Sequence, residues 1–169
     1  MDEIRNKIKE SGLINLDLAE FKPDMSRLIN FDLADQLWQG LVLKEKDFRS
    51  FISNNDWTQY ENKYVYVHCS ADAIVPTWAF MLVSSQLLNV ASVHVVGSQI
   101  DLEKELIKNN ISEFDTSSLI DERIIIKGCA DISCPEFAMT ELLKKLQPIS
   151  KSIMYGEPCS TVPIYKAKR

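Results

Sequence analysis

The chain has 169 residues, 46% apolar and 25% charged, the size and balance of one ordinary globular domain with a buried core. Its formal net charge is −5 and its pI about 5.1, which argues against nucleic acid as a main partner, because phosphate binding needs a basic surface. No apolar run approaches the roughly 18 residues that cross a bilayer, so no membrane partner is expected.

Met1 to Lys7 is charged and has no apolar stretch behind it, so no secretory leader is expected and the cytoplasm is the expected compartment. Asp2 to Glu10 places Ile4 and Ile8 on one face of a short amphipathic helix, which Ser11-Gly12 stops. Leu13 to Leu18 alternates apolar and polar residues, as a half-exposed strand does, and Leu28 to Leu33 is a second such strand after the turn at Phe21-Lys22-Pro23-Asp24. Asp35 to Asn55 reads as a helix or turn followed by a helix, with Phe48, Phe51 and Ile52 at helical spacing. Residues 1–60 thus predict an accessory α+β layer, a hairpin with two helices covering one edge of a main sheet.

From Tyr64 onward the pattern is regular. Strands are predicted at Tyr64 to His68, Ser92 to Val96, Arg123 to Lys127 and Ser152 to Tyr155. Helices are predicted at Pro76 to Leu88, with Trp78, Met81, Leu82 and Leu88 inward, at Asp101 to Asn109, and at Pro135 to Leu146. The alternation of strand and helix over residues 61–165 predicts an α/β single domain: a mostly parallel central sheet flanked by helices. The unit "strand, Cys, Asp, Pro, helix" occurs twice, at Cys69-Ser70-Ala71-Asp72 with Pro76 and at Cys129-Ala130-Asp131 with Pro135.

Three of the four cysteines, Cys69, Cys129 and Cys159, follow strand-like runs, and the carboxyl ends of parallel strands are where open α/β sheets build their sites. Adjacent strands lie about 4.8 Å apart and two thiolates on one zinc about 3.8 Å apart. If the three strands are neighbours, Cys69, Cys129 and Cys159 converge as metal ligands, zinc ahead of an iron–sulfur cluster. Cys134, Asp72, Asp131, His68 or a water would complete the set. Asp72 and Asp131 each follow a strand-end cysteine and would orient the site or act in acid–base steps, though a carboxylate there also suits a helix cap. Metal-assisted hydrolysis or hydration of a small molecule is the simplest use of such a centre.

Two other readings stand beside it. One is metal-free thiol chemistry, for which Cys69 and Cys134 sit near helix starts. The other is a non-enzymatic interaction module or homodimer with buried, inert cysteines, its partner face around Leu37–Leu43. The basic end Lys166-Ala167-Lys168-Arg169 is a solvated terminus or a phosphate-binding tail.

The strings GLVLKEKDFRSFI, DWTQYENKYVYVHCSADAIVPTWAFM, IIIKGCADISCPEFAMTELLKKLQP and SIMYGEPCSTVPIYK together resemble a bacterial family known as domain of unknown function 2480. The resemblance covers nearly the whole chain. It implies a single-domain cytoplasmic protein and supplies no catalytic residues. CSADAIVP is also similar, over eight residues, to the zinc-binding strand-end string of β-class carbonic anhydrases. It departs from that string by an inserted residue before Asp72 and by the lack of the arginine, and the chain has no His-x-x-Cys.

Overall fold

The computed structural model describes residues 12–128, 131–157 and 159–168. The helix expected over residues 2–10, and Cys129, lie outside them. The fold is mixed α/β, with two mostly or wholly parallel sheets in place of the one central sheet expected. Strands β1 (Leu13–Asp17), β5 (Arg123–Lys127), β6 (Ser152–Glu157) and β7 (Ser160–Lys166) form one sheet in the order β1-β5-β6-β7. Strands β2 (Leu28–Asp32), β3 (Tyr64–His68) and β4 (Val93–Val96) form the other, in the order β2-β3-β4. The helices are α1 (Glu45–Asn54), α2 (Thr77–Leu87), α3 (Gln99–Glu113) and α4 (Pro135–Leu146). The chain divides into two compact units, Asp24–Leu106 and Met1–Pro23 with Ile107–Arg169.

β1 and β2 do not form a hairpin with each other. Each is a parallel edge strand of a different sheet, β1 beside β5 and β2 beside β3. Each ends on an aspartate that turns the chain into a 3-10 helix: Asp17 accepts the Ala19 N–H and Asp32 the Ala34 N–H, both at 2.9 Å. An aspartate at such a turn satisfies a backbone donor that would otherwise be orphaned.

The core of the Asp24–Leu106 unit shows why β3 lies mid-sheet. Val65 and Val67 are fully buried on one face, while Tyr64, Tyr66 and His68 are half-buried on the other. Helix α2 packs through Ala79, Val83 and Leu87, all fully buried, at four-residue spacing along one face. That face differs from the one expected: Met81 and Leu88 are exposed, at 66% and 73%. In the other unit β5 buries Ile124, Ile125 and Ile126, the continuous apolar run of a strand covered on both faces. Helix α4 packs there through Ala138, Leu142 and Leu146. Burying one such leucine contributes about 1.5–3 kcal/mol.

From Asp56 and Asp115 onward the two units repeat one pattern without a gap. At one constant offset, that from Tyr64 to Arg123, Ala79, Val83 and Leu87 map onto Ala138, Leu142 and Leu146. β3 and β4 pair from Tyr64↔Val93, and β5 and β6 pair from Arg123↔Ser152. Asp56 accepts the Thr58 N–H at 3.0 Å, and Asp115 accepts the Ser117 N–H at 2.9 Å. Asn62 and Asp121 both adopt φ 58°, and their N–H groups donate to Val90 O (3.1 Å) and Ile149 O (2.8 Å). The edge strands repeat as well, as Leu-Ile-Asn-Leu-Asp-Leu-Ala and Leu-Ile-Asn-Phe-Asp-Leu-Ala. Of the short Cys–Asp–Pro repeat of the sequence, Asp72 and Pro76 map onto Asp131 and Pro135 at this offset, whereas Cys69 maps onto Gly128 and Cys129 onto Ser70.

Candidate functional site

In the Asp24–Leu106 unit, the carboxyl end of the sheet opens into a hollow of about 340 Å³. Val67, Cys69, Ala73, Val75, Phe80 and Val96 give it a largely apolar wall. Cys69 is half-buried there as a free thiol, its Sγ 3.6 Å from the Ala71 carbonyl oxygen to which it donates. The Gly97 N–H donates to Val67 O at 2.9 Å and ties the β4 side of the hollow to β3.

The loop after Cys69 is pinned from β2. Asp32 Oδ1 accepts the Ser70 N–H at 2.9 Å as well as that of Ala34. Burial pushes the Asp32 carboxyl up, but hydrogen bonds from Ser70 and Ala34 and the nearby His68 outweigh it, so its pKa lies below the ordinary carboxylate value. Asp32 and His68 are Cα partners, so their side chains leave the sheet on the same face. His68 Nε2 stands 4.0 Å from Asp32 Oδ2 and 3.3 Å from the Asn30 amide nitrogen. Alternation along the strand sends Cys69 the other way, toward the hollow.

At the corresponding place the duplicated unit has a smaller opening, about 150 Å³, whose lining includes Ile126, Met139 and Tyr155, the counterparts of Val67, Phe80 and Val96. The counterpart of Cys69 is Gly128, that of Val96 is Tyr155, and that of Ala73 is Ile132. A β-carbon at Gly128 would come within 2.6 Å of the Tyr155 ring and 3.0 Å of Met139 Cε. The tyrosine therefore lies on the backbone where the other unit carries a thiol. Ile132 is buried in the same core. Ile132 and Tyr155 take up part of the space that Ala73 and Val96 leave open in the Asp24–Leu106 unit.

The expected site residues are distributed differently. Cys69 follows β3, whereas Cys129 and Cys159 follow β5 and β6 of the other sheet, so the three thiols do not stand on neighbouring strands of one sheet. Cys129 lies outside the described residues. Cys159 is exposed in the connection from β6 to β7, and Cys134 is buried. Among the described residues, no group of three His, Cys, Asp or Glu side chains is placed to hold a metal ion. Asp72 is exposed. The Asp131 side chain is fully exposed and pairs with Lys22 at 2.9 Å. Neither carboxylate caps the following helix: Pro76 and Cys134 hold those N-cap positions, with no side-chain cap bond. Glu157 pairs with Lys127 at 3.0 Å. Among the described residues, no helix is long and apolar enough to cross a membrane.

Sequence reasoning passed over Asp32 and Asn30. The signal that finds them is the heptapeptide Leu-Ile-Asn-[Leu/Phe]-Asp-Leu-Ala, present at Leu13 and again at Leu28. The two aspartates share a structural task, each accepting the N–H two residues on and turning the chain after its strand.

A family model described as a protein of unknown function, DUF2480, matches residues 2–167. No curated protein and no solved structure shows a significant match to the chain.

Proposed function

The chain belongs to the DUF2480 family, which names no activity, and from the geometry of its strand-end hollow we propose that it binds a small molecule there, with Cys69 as the reactive group. The observation that supports this reading is the contrast between the two copies: one carries Cys69 in an apolar hollow of about 340 Å³, and the other has Gly128 at that position beside a smaller opening of about 150 Å³. Val67, Val75, Phe80 and Val96 suit a small apolar body. Cys69, once its proton passes to solvent, supplies a sulfur nucleophile. Asp32 acts on the backbone, holding the loop that carries the thiol.

Peptide-resolved alkylation of the native protein with iodoacetamide tests this. Cys69 should label much faster than buried Cys134. Labelling of Cys69 as slow as that of Cys134 would remove the reading.

A zinc or iron–sulfur centre is a second reading. It is supported by one observation: β5 and β6, which lead to Cys129 and Cys159, are adjacent and parallel. Its ligands would then exclude Cys69. Elemental analysis of protein purified without oxygen separates the two readings, because a metal lost in Cys159→Ser and kept in Cys69→Ser belongs to the second alone.

A further inference from the structure

The duplication exposes a second difference, at the opposite edge of the sheets. In the unit containing β1, β5, β6 and β7, an open cleft of about 1250 Å³ runs along the start of the parallel strands. Leu13, Arg123, Ser152 and Lys166 lie in one row across the four strands. Arg123, Lys151, Lys166 and Lys168 line the cleft, with Asp121 as the one carboxylate in its lining among the described residues. A chain with a net charge of −5 thus collects four cations in one place.

These cations come from separate changes to the shared pattern. Arg123 stands where the other unit has Tyr64, and Lys151 where it has Ser92. Lys166 and Lys168 belong to β7 and the segment after it, which have no counterpart in the three-stranded sheet. The Ala167 N–H donates to Lys151 O at 3.0 Å and fixes this segment beside the cleft.

We propose that this cleft binds an organic di- or triphosphate. Arg123 and Lys166 lie two strands apart, roughly 10 Å, a span that suits a chain of phosphates better than a single one. Arginine and lysine are the side chains that recognise phosphate oxygens. Leu13, Met154, Pro163 and Tyr165 add apolar and aromatic surface for an organic body. The role of the basic C-terminal segment follows: β7 delivers it to a phosphate site.

Isothermal titration of the full chain with ATP, inorganic tripolyphosphate and inorganic phosphate tests the proposal. ATP should bind more tightly than tripolyphosphate, and both at least tenfold more tightly than phosphate. Arg123→Tyr with Lys151→Ser, the residues of the other unit, should weaken ATP binding at least tenfold. Lys46→Ser with Lys63→Ser, equal in charge change and outside the cleft, should leave it within twofold. Lys151→Ser alone, with an unchanged thermal midpoint, should show a partial loss and separates binding from folding. Absence of ATP binding, equal losses in the cleft and control variants, or tighter binding of a single-stranded oligonucleotide than of ATP would each overturn it.

Discussion

Gly128 and Tyr155 occupy each other's space: the tyrosine ring lies where a β-carbon on residue 128 would stand, 2.6 Å from its nearest atom. Their counterparts Cys69 and Val96 face each other across an open hollow. One fold, used twice, therefore carries a narrower and a wider version of the same strand-end position.

This contact predicts a measurable coupling. Gly128→Ala forces a methyl against the ring and should destabilise the protein by about 1–3 kcal/mol. Tyr155→Val, at a side chain already 43% exposed, should cost about 1 kcal/mol. In the double variant the alanine should cost almost nothing, a coupling of about 0.5–3 kcal/mol. Urea unfolding of the four proteins measures it, and additive losses would mean that the ring does not depend on the glycine.

Arg27 binds the start of the β2-β3-β4 sheet together. Its guanidinium donates to Asn62 O, Tyr64 Oη and Ser92 Oγ and lies 4.4 Å from the centre of the Tyr64 ring. Arg27→Ala should destabilise by about 2–3 kcal/mol. Arg27→Lys should recover less than half of that, because an ammonium cannot reproduce the planar fork. Full recovery by lysine in the same unfolding measurement would show that charge alone matters.

Two titrations fall in separate pH windows. Burial holds the His94 pKa below its ordinary value of 6.5, so the folded state favours the neutral ring. The associated stability is present above pH 6.5 and is lost as the pH falls below that value toward the folded pKa. Asp32 lies below its ordinary 3.8. Its contribution is present above that value and is lost as the pH falls through its lower folded pKa. His94→Gln should flatten the stability profile between pH 7 and 5 and leave the acid limb in place. Asp32→Asn should leave the slope between pH 7 and 5 in place and reduce the acid limb, to which Asp24, Asp56, Asp101 and Asp115, all held below the ordinary carboxylate value, also contribute. An unchanged slope in the histidine variant would refute the assignment.

The duplication also sets out what the sequence could and could not reveal. The strands from Tyr64 and Arg123, and the helix from Pro135, were legible because their apolar periods are local. The number of sheets was not, because strand pairing is long-range: Leu13 and Leu28 lie close in the chain yet pair with Arg123 and Tyr64. β7 was missed because Pro163 interrupts its alternation. The structure accommodates that proline on an edge strand at a shift in register, between Ile153↔Tyr165 and Met154↔Pro163. The strand-end position of Cys69 was readable, but its separation from the sheet that leads to Cys159 depended on the same pairing. The open hollow rests on the small volumes of Ala73 and Val96, which stand out only beside Ile132 and Tyr155.

The metal reading carries its own expectation. With Cys69 on a different sheet from β5 and β6, Cys69→Ser should leave the zinc and iron content of the purified protein unchanged, whatever that content is. A loss of bound metal in this variant, measured by elemental analysis, would restore the three-thiol centre.

The rate at which iodoacetamide modifies Cys69 before and after the hollow is closed tests the central claim most directly. Installing the other unit's side chains, Ala73→Ile with Val96→Tyr, should slow labelling of Cys69 at least tenfold and leave exposed Cys159 unaffected. Equal Cys69 rates in the two folded proteins would show that the thiol does not react through this hollow, and the proposed site would fall with it.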